Sequence, residues 1–417
     1  MTREPVAPPG CDILANDIWA DRVPHAEFAR LRAEAPVAFF DEADENAGFW
    51  AVTRLDDLVT VHRDHRTFSS EIGGTELEEL ERDPEAREAR RTMLETDPPE
   101  HTRIRKMVSR GFTRRAVERW ESQAGHLMSE ILDTALADPD NDFVETVARR
   151  LPILMISRVL GVPDDDAAQL FHWADSVVYH ADPEFADVVF DRDDTDPYRL
   201  LPFRSPTSVK VFEYAQRLAE AKRIDPAGDI VSLLADSDDL TAQEFNTFFL
   251  LLVIAGNETT RHGLSHAALA LADHPDQLDR LRADPGLMPS AVEEILRWSC
   301  PQLHFRRTAQ VDTELRGVSV AAGDKVVTWY ISANYDEAAF VDPFTLDLGR
   351  SPNPHATFGG GGPHICLGAW LARLEVRVFL EEICRKIHRF HRAGPPVRIR
   401  SNFINGLKHL PLELEPS

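Results

Sequence analysis

The sequence has few cysteines, few cations relative to acids, and no long apolar run. Its cysteines, Cys11, Cys300, Cys366 and Cys384, are scattered without CxxC spacing, which argues against a disulfide scaffold and a zinc finger. No stretch reaches the roughly 18 apolar residues of a membrane-spanning helix, and the start, MTREPVAPPG, lacks a signal-peptide pattern. We therefore expect a cytoplasmic protein without a membrane span.

The formal net charge is -24. This excess of acids argues against nucleic-acid binding, because such surfaces need clustered cations. Residues 101–119 run against the trend, with seven Lys or Arg and one acid. This segment is either a solvated helix face or a local positive surface for an acidic partner.

No repeat, linker or break in composition divides the 417 residues, so we expect a single domain over 1–417. PVAFF and FWAVTR, around residues 36–54, predict a β-hairpin, and GVSVAAG with DKVVTWYIS, near residues 317–332, predicts a second. Most of the remaining sequence has helical patterns. The expected fold class is mainly α with smaller β-sheets.

The clearest predicted helix begins at Thr241, which forms a capping box with Glu244, and it runs until Pro275. Its middle, FFLLLVIAG, is apolar on every face and predicts burial all round. Residues 255–260, AGNETT, add an acid and hydroxyls that need partners when buried. Either the small residues leave room for a ligand while the acid and alcohol relay protons, or a hydroxyl bonds back to its own backbone at a kink.

The segment FGGGGPHICLG, residues 358–368, leads through four glycines and His364 to Cys366 at or just before the start of the last long helix. Glycines let a backbone approach a flat ligand closely. A helix N-terminus favours a thiolate, the form of cysteine that binds iron. The alternative is a flexible loop followed by a buried structural cysteine.

Two further pairs have helical spacing. Glu294 and Arg297 (i, i+3) can pair on one helix face, and His101 and Arg105 (i, i+4) can together bind two carboxylates of a ligand. Each pair taken alone is also typical of an ordinary helix surface.

The order of these segments resembles the bacterial cytochrome P-450 family from residue 97 to the end of the helix after Cys366. The shared elements are His101 with Arg105, AGNETT, Glu294 with Arg297, Arg307 in HFRRTA, Asn334 in SANYDE, Arg350 in LGRSPNPH, and the glycine loop with Cys366. One departure is the loop length, since seven residues separate Phe358 from Cys366 where the commonest family pattern has six.

The resemblance implies the P-450 fold, with a long central helix crossing the domain over a haem b (iron protoporphyrin IX). It implies that Cys366 is the iron ligand and that Phe358 packs near the ligand loop. The implied partners of the haem propionates are His101, Arg105, Arg307 and His364, with Arg306 as a rival to Arg307. Glu258 and Thr259 match the proton-delivery pair, and Glu294, Arg297 and Arg350 match a buried structural triad. Substrate-facing positions are expected at Leu252, Ala255, Gly256 and Thr259, in the loop 301–305 with Leu303, His304 and Phe305, and in segments 71–96 and 171–205.

The resemblance also implies a monooxygenase that uses dioxygen and a pair of electrons, which come ultimately from NAD(P)H. Nothing in the sequence looks like a flavin or iron–sulfur domain, so we expect a separate ferredoxin and reductase, with the ferredoxin docking near Arg103 to Arg119. The longer glycine loop resembles members that oxidise steroid side chains, branched lipids or terpenoids. Rival hypotheses are a peroxide-driven peroxygenase of fatty acids and a non-catalytic haem-binding sensor. Glu258 and Thr259 favour dioxygen chemistry.

Overall fold

A computed structural model of the chain describes residues 4–42, 47–138, 142–186, 196–237 and 239–417. Helices dominate this part of the chain, as expected. The α-helices are α1 (Asn16–Asp21), α2 (His25–Glu34), α3 (Leu55–Arg63), α4 (Pro84–Arg90), α5 (Glu100–Ser109), α6 (Arg114–Glu118), α7 (Glu121–Leu136), α8 (Arg150–Leu160), α9 (Asp164–Val178), α10 (Thr207–Ile224), α11 (Ile230–Ala235), α12 (Ala242–Asp273), α13 (Pro275–Ala283), α14 (Met288–Ser299), α15 (Tyr330–Ala333) and α16 (Ala369–Lys386). Among the described residues, no helix has the length and apolar character needed to cross a bilayer.

The strands form one five-stranded sheet and three two-stranded sheets. They are β1 (Val37–Phe40), β2 (Phe49–Val52), β3 (Phe68–Ser69), β4 (His304–Ala309), β5 (Thr313–Leu315), β6 (Val318–Val320), β7 (Lys325–Trp329), β8 (Ile387–Arg392), β9 (Val397–Arg398), β10 (Leu407–His409) and β11 (Leu412–Pro416). The large sheet has the order β1-β2-β7-β4-β3. Antiparallel pairing of β1 with β2, Val37 opposite Val52, confirms the first predicted hairpin.

The second predicted hairpin is wrong, because β6 and β7 are not paired. β6 pairs with β5 across Arg316 and Gly317, which have φ of 51° and 80°, the positive φ pair of a tight two-residue turn. β7 is buried at every position and lies between β2, to which it is parallel, and β4, to which it is antiparallel. A fully buried strand needs partners on both edges, and a local hairpin supplies only one.

Helix α12 is the centre of the fold. Thr241 and Glu244 form the predicted capping box, and the helix ends at Asp273, before Pro275. The largest hydrophobic core surrounds it, with α8, α9, α10, α14 and α16 packed against it. A second core lies between α2 and the large sheet.

A buried ion-pair triad joins α14 to the segment that leads to Cys366. Glu294 and Arg297 lie in α14, and Arg350 lies at the start of that segment. The Arg297 guanidinium donates to both carboxylate oxygens of Glu294 at 2.8 Å, and Arg350 Nε lies 3.1 Å from each. Glu294 and Arg297 are fully buried. Burial on this scale requires compensated charges, and the two arginines provide the compensation for one carboxylate.

At Gly256, α12 packs closely against α8. A Cβ added at Gly256 would lie 2.5 Å from Cγ1 of Ile156, so the glycine makes room for that side chain. Gly125, in the middle of α7, is a contrasting case because an added Cβ there meets nothing within 4 Å.

Gly256→Ala is expected to lower the free energy of unfolding by about 1 kcal/mol, since overpacking against Ile156 outweighs the gain in helix propensity. In an Ile156→Ala background the same substitution should be neutral or stabilising. Gly125→Ala, the matched control, should stabilise by about 0.5–1 kcal/mol. Denaturant unfolding of the variants measures these differences, and an equal effect of Gly256→Ala in both backgrounds would contradict the contact.

Candidate functional site

The glycine loop before Cys366 packs against α3. A Cβ at Gly360 would lie 2.9 Å from Val59 Cα, and one at Gly362 would overlap the carbonyl oxygen of His62. These two glycines therefore let helix α3 pack closely against the loop. The sequence suggested only that the glycines let the backbone approach a flat ligand. The loop ends with the Cys366 amide donating to the Phe358 carbonyl at 3.0 Å.

Cys366 lies three residues before α16, whose N-cap is Gly368. Its side chain has accessible surface, yet burial within the protein raises the pKa of its thiol above 9.0 against the opposing effects of the Gly368 amide, Arg105 and Arg373. Cys366 is therefore accessible although protein surrounds it. The helix terminus alone does not make this thiol acidic, and a metal ion that binds it must displace the proton.

Four basic side chains from three elements converge beside Cys366. We call His101 and Arg105 of α5, Arg307 of β4 and His364 of the loop the basic cluster. The imidazole rings of His101 and His364 lie 4.1 Å apart. Burial, followed by the Arg105 charge, lowers the pKa of His101 to about 4. Burial, together with the Arg307 and His101 charges, lowers the pKa of His364 well below 6.5. The two rings are thus neutral at physiological pH.

The basic cluster has unused hydrogen-bonding capacity. Nε2 of His101 and Nδ1 of His364 are buried without a partner. Arg105 has no hydrogen bond or ion pair with any described residue, and the Arg307 guanidinium, 4% exposed, donates only to the Arg306 carbonyl at 2.7 Å. Buried cations and imidazoles left in this way fit an anionic ligand with several acceptor oxygens.

Arg306 and Arg307 differ in the partners they already have. Arg306 donates to Glu81 at 2.7 Å and to the Glu78 carbonyl at 2.6 Å, so its charge is compensated inside the protein. No described carboxylate lies within ion-pair distance of Arg307. The geometry therefore favours Arg307 over Arg306 as the group that meets an anion.

One stripe of α12 is open, which corrects the expectation that the helix is buried all round. Ala255 is exposed, and Leu251 and Thr259, one turn to either side, are half-buried. We call these three residues the cavity face. The Thr259 hydroxyl donates to the Ala255 carbonyl at 3.0 Å. A hydroxyl that bonds back to its own helix backbone was one of the two alternatives predicted for residues 255–260.

Several predicted substrate positions are buried in the structure. Leu252, Leu303 and His304 are 7%, 0% and 1% exposed, and the side of Gly256 where a Cβ would lie faces Ile156. His304 is enclosed by the rings of Trp329 and Phe403, at 4.6 and 5.4 Å. Along β4 the neighbour Phe305 is the half-buried residue, because successive side chains of a strand point to opposite faces.

Glu258 lies about 100° around α12 from Thr259, in a buried polar cluster. Arg261 lies 2.8 Å from its carboxylate, Asn257 donates to it at 2.5 Å, and the Tyr179 hydroxyl also donates to it. Burial raises the pKa of Glu258 well above 4.5, while Arg261 keeps that of Asp175 below 3.8 against its own burial. The Thr259 hydroxyl donates to the Ala255 carbonyl, and it shares no hydrogen bond with the Glu258 carboxyl.

Sequence reasoning missed some of the residues found here. Ser70 donates to or accepts from Nε2 of His364 at 3.2 Å, and nothing in its sequence surroundings indicates this. Leu251 could have been predicted from the sequence, because the i, i+4, i+8 spacing of Leu251, Ala255 and Thr259 marks one helix face. Within the predicted pocket segment 171–205, residues 187–195 lie outside the described residues.

Comparison with known proteins identifies the family of the chain. Residues 286–397 match the sequence profile of the family described as cytochrome P450. A methyl-branched lipid omega-hydroxylase of Mycobacterium tuberculosis is 40% identical over 97% of this chain and 94% of its own, and a steroid C26-monooxygenase of the same species is 39% identical over 97% and 93%.

Among solved structures, a cytochrome P450 of Mycobacterium marinum in complex with pseudoionone superposes with a TM-score of 0.88 at 36% identity, covering 99% of this chain and all of that one. Relatives of this identity over nearly the whole length share both the fold and the class of reaction. The chain therefore belongs to the cytochrome P450 family and is a monooxygenase of that family.

Proposed function

We propose that Cys366 supplies the sulfur ligand of the haem iron and that the basic cluster binds the haem propionates. The observation that carries this proposal is the combination of an exposed Cys366 with nearby His101 and His364 ring nitrogens that are buried without a partner. The Arg307 guanidinium, which among the described residues donates only to the Arg306 carbonyl, completes it. The haem, when bound, supplies the activation of dioxygen. The chain orients the substrate, controls water and holds the protons.

Cys366→Ser is expected to abolish the Soret displacement that carbon monoxide gives with a reduced, thiolate-bound haem, because the serine oxygen is a different ligand. Cys384→Ser is the matched control, since Cys384 lies in α16, the helix that follows Cys366, and is only partly buried. That variant should keep the displaced band. An unchanged spectrum after substitution of Cys366 would overturn the assignment.

We propose that the substrate is a long apolar molecule such as a steroid side chain, a methyl-branched lipid or a terpenoid. The apolar residues Leu251, Ala255 and Phe305, which keep accessible surface, support this class. The substrates printed in the names of the two relatives point the same way.

We further propose that Thr259 positions protons at the cavity face and that Glu258 is their source. Thr259 carries the side-chain hydroxyl of the cavity face, and burial raises the pKa of the neighbouring Glu258 well above 4.5, which favours its protonated form. Delivery requires that the Glu258 carboxyl leave Arg261 and turn toward Thr259. This separation leaves the proton stored away from the reacting oxygen until the carboxyl moves.

Thr259→Ala is expected to leave the carbon monoxide spectrum unchanged while a larger share of the electrons consumed appears as hydrogen peroxide. Thr259→Ser keeps the hydroxyl and should restore coupling between electron use and product. The ratio of hydroxylated product to reductant consumed measures the effect. Equal coupling in the wild type and Thr259→Ala would remove the residue from this role.

We propose that electrons arrive from a separate ferredoxin, with NAD(P)H as their ultimate source, and that the ferredoxin docks on exposed cations of residues 103–119. Lys106, Arg110, Arg114, Arg115 and Arg119 are exposed and form what we call the basic patch. Arg103 does not belong to it, because Glu100 and Glu244 each lie 2.5 Å from its guanidinium. Arg105 belongs to the basic cluster instead.

The basic patch continues to the cysteine loop through Trp370. The Arg114 guanidinium lies 5.6 Å from the centre of the Trp370 ring, which is 43% exposed and stands four residues after Cys366. An exposed aromatic rimmed by cations fits an acidic partner. The ion pair of Arg114 with Glu118 is too exposed to cancel the charge of the patch.

The double substitution Arg110→Glu and Arg114→Glu is expected to slow reduction by an acidic ferredoxin, and the slowing should be greatest at low ionic strength, where charges are least screened. Lys210→Glu with Arg217→Glu on α10 makes the same change of charge on other exposed residues and should have little effect. Stopped-flow reduction rates over a salt series measure both. Identical rates for the two double variants would exclude docking at the patch.

A further inference from the structure

The buried polar cluster joins one face of α9 to one face of α12. Asp175 and Tyr179, at the end of α9, are spaced i, i+4 and are 2% and 1% exposed, and side chains with this spacing share a helix face. Glu258, Arg261 and His262 of α12 have the corresponding i, i+3, i+4 spacing. The Arg261 guanidinium connects the two faces, since it lies 3.3 Å from the Asp175 carboxylate and 2.7 Å from the Tyr179 hydroxyl.

The Tyr179 hydroxyl has three polar partners on α12. It contacts the Glu258 carboxyl, Nε2 of His262 at 2.6 Å and the Arg261 guanidinium at 2.7 Å. A hydroxyl has one proton to donate and two lone pairs that accept, and a guanidinium only donates. The Tyr179 proton therefore goes either to Glu258 or to His262, and the choice depends on which nitrogen of His262 carries a hydrogen.

The surroundings of His262 place its hydrogen on Nε2. The Leu407 amide donates to Nδ1 at 3.3 Å, so Nδ1 is an acceptor. Burial, followed by the Arg261 charge, lowers the pKa of His262 well below 6.5, so the ring is neutral and carries one hydrogen. Gly406, between β9 and β10, lets the chain close on this ring, since an added Cβ would lie 2.8 Å from Nε2. His262 therefore donates to Tyr179.

The proton of the Tyr179 hydroxyl is thus directed to Glu258. Arg261, at 2.8 Å, and Asn257, at 2.5 Å, are two further donors to the same carboxyl. These two lie on α12 itself, whereas Tyr179 approaches from α9. A Glu258 carboxyl that keeps its bond to Tyr179 faces α9 and cannot at the same time reach Thr259.

The titratable and charged groups that surround Glu258 come from three elements. They are Arg261 and His262 of α12, Asp175 and Tyr179 of α9, and Arg149 at the start of α8. Burial raises the pKa of the Glu258 carboxyl, Arg261 and Arg149 oppose this, and Asp175 adds to it. Loss of the Tyr179 hydroxyl alters none of these charges, so its effect on Glu258 can be measured separately.

We propose that Tyr179 is a positioning residue for proton delivery, whose hydroxyl holds the Glu258 carboxyl away from Thr259 and draws it back once its proton has left. This inference rests on the proposed function, in which Glu258 supplies the proton. In the delivery step the O–H bond of the Glu258 carboxyl breaks, and the Thr259 hydroxyl accepts this proton while its own proton passes to the reacting oxygen. The carboxylate that remains returns to its donors and takes its next proton from water.

Infrared titration of the haem-loaded protein, without substrate or reductant, tests the contact. The C=O band of the protonated Glu258 carboxyl, identified by its loss in Glu258→Gln, should disappear as the pH rises through the pKa of this group. Tyr179→Phe removes a donor that favours the ionised form and should raise the midpoint by about one pH unit, the effect of one hydrogen bond. Tyr214 also donates to a carboxylate, Asp166, at 2.8 Å, so Tyr214→Phe is the matched control and should leave the midpoint unchanged.

The pH profile of coupling tests the role in delivery. With a methyl-branched fatty alcohol as substrate, the ratio of product to reductant consumed should fall as Glu258 loses its proton at rising pH. In Tyr179→Phe the fall should move to higher pH by the same amount as the infrared midpoint. Below the midpoint its coupling should equal or exceed that of the wild type, because the carboxyl leaves more easily. In a Glu258→Gln background, Tyr179→Phe should make no further change.

A second replacement keeps the packing of the ring. With 3-fluorotyrosine at position 179 the three contacts remain, and the more acidic phenol is a stronger donor, so both midpoints should move down. An infrared midpoint that neither replacement moves would overturn the inference, as would an infrared shift that the coupling profile does not follow. An equal loss of coupling from Tyr179→Phe with and without the Glu258 carboxyl would mean a packing role and would also overturn it. Wild-type coupling in Glu258→Gln would instead remove Glu258 as the proton source, which is the failure of the proposed function itself.

Discussion

The ion pair of Glu294 with Arg297 and Arg350 is the interaction on which the placement of the cysteine loop depends. Arg297 also donates to the Asn334 carbonyl at 2.8 Å, and the Asn334 side chain bonds the Ala356 amide at 2.7 Å and the Thr357 hydroxyl at 2.8 Å. Thr357 is next to Phe358, whose carbonyl accepts from the Cys366 amide. Loss of one partner from such a buried pair lowers stability by about 3–5 kcal/mol. The groups that hold the loop in place therefore stay together in the folded protein.

Adjacent side chains of α12 point in different directions because a helix turns about 100° per residue. Thr259 lies on the cavity face, while Glu258 faces Tyr179 and Arg261 in the buried polar cluster. The acid and the alcohol cannot face the cavity together without movement of the Glu258 side chain. In the proposed proton delivery, α12 thereby keeps the Glu258 carboxyl apart from the Thr259 hydroxyl until the Glu258 side chain moves.

Local signals in the sequence predicted local structure well. The Thr241 capping box, the stop before Pro275 and the β1–β2 hairpin all appear as expected, because each depends on residues within a few positions of each other. Contacts between residues that are far apart in the sequence could not be predicted. The partners of β7 lie far from it in sequence, and Gly256 owes its place to Ile156, about 100 residues earlier.

The same limit applies to the site. Residue type and order suggested the basic cluster, but Arg306 and Arg307 are adjacent and chemically identical. The sequence holds no sign that Glu81 pairs with the first and not the second. Likewise, the many acids of residues 71–95 look alike until their cations are known. Side-chain direction, set by tertiary packing, decides which polar groups remain available to a ligand.

The parallel pairing of β2 with β7 has a consequence for synthesis of the chain. Phe49–Val52 meets its partner Lys325–Trp329 only after about 270 further residues have been made. At ribosomal rates of roughly 5–20 residues per second, one edge of the nascent β1–β2 hairpin stays unpaired for roughly 15–55 s. Its apolar strands, with Phe40, Phe49 and Trp50, are then open to edge-to-edge aggregation, so the amino-terminal part of this enzyme depends on protection until its carboxyl-terminal third emerges.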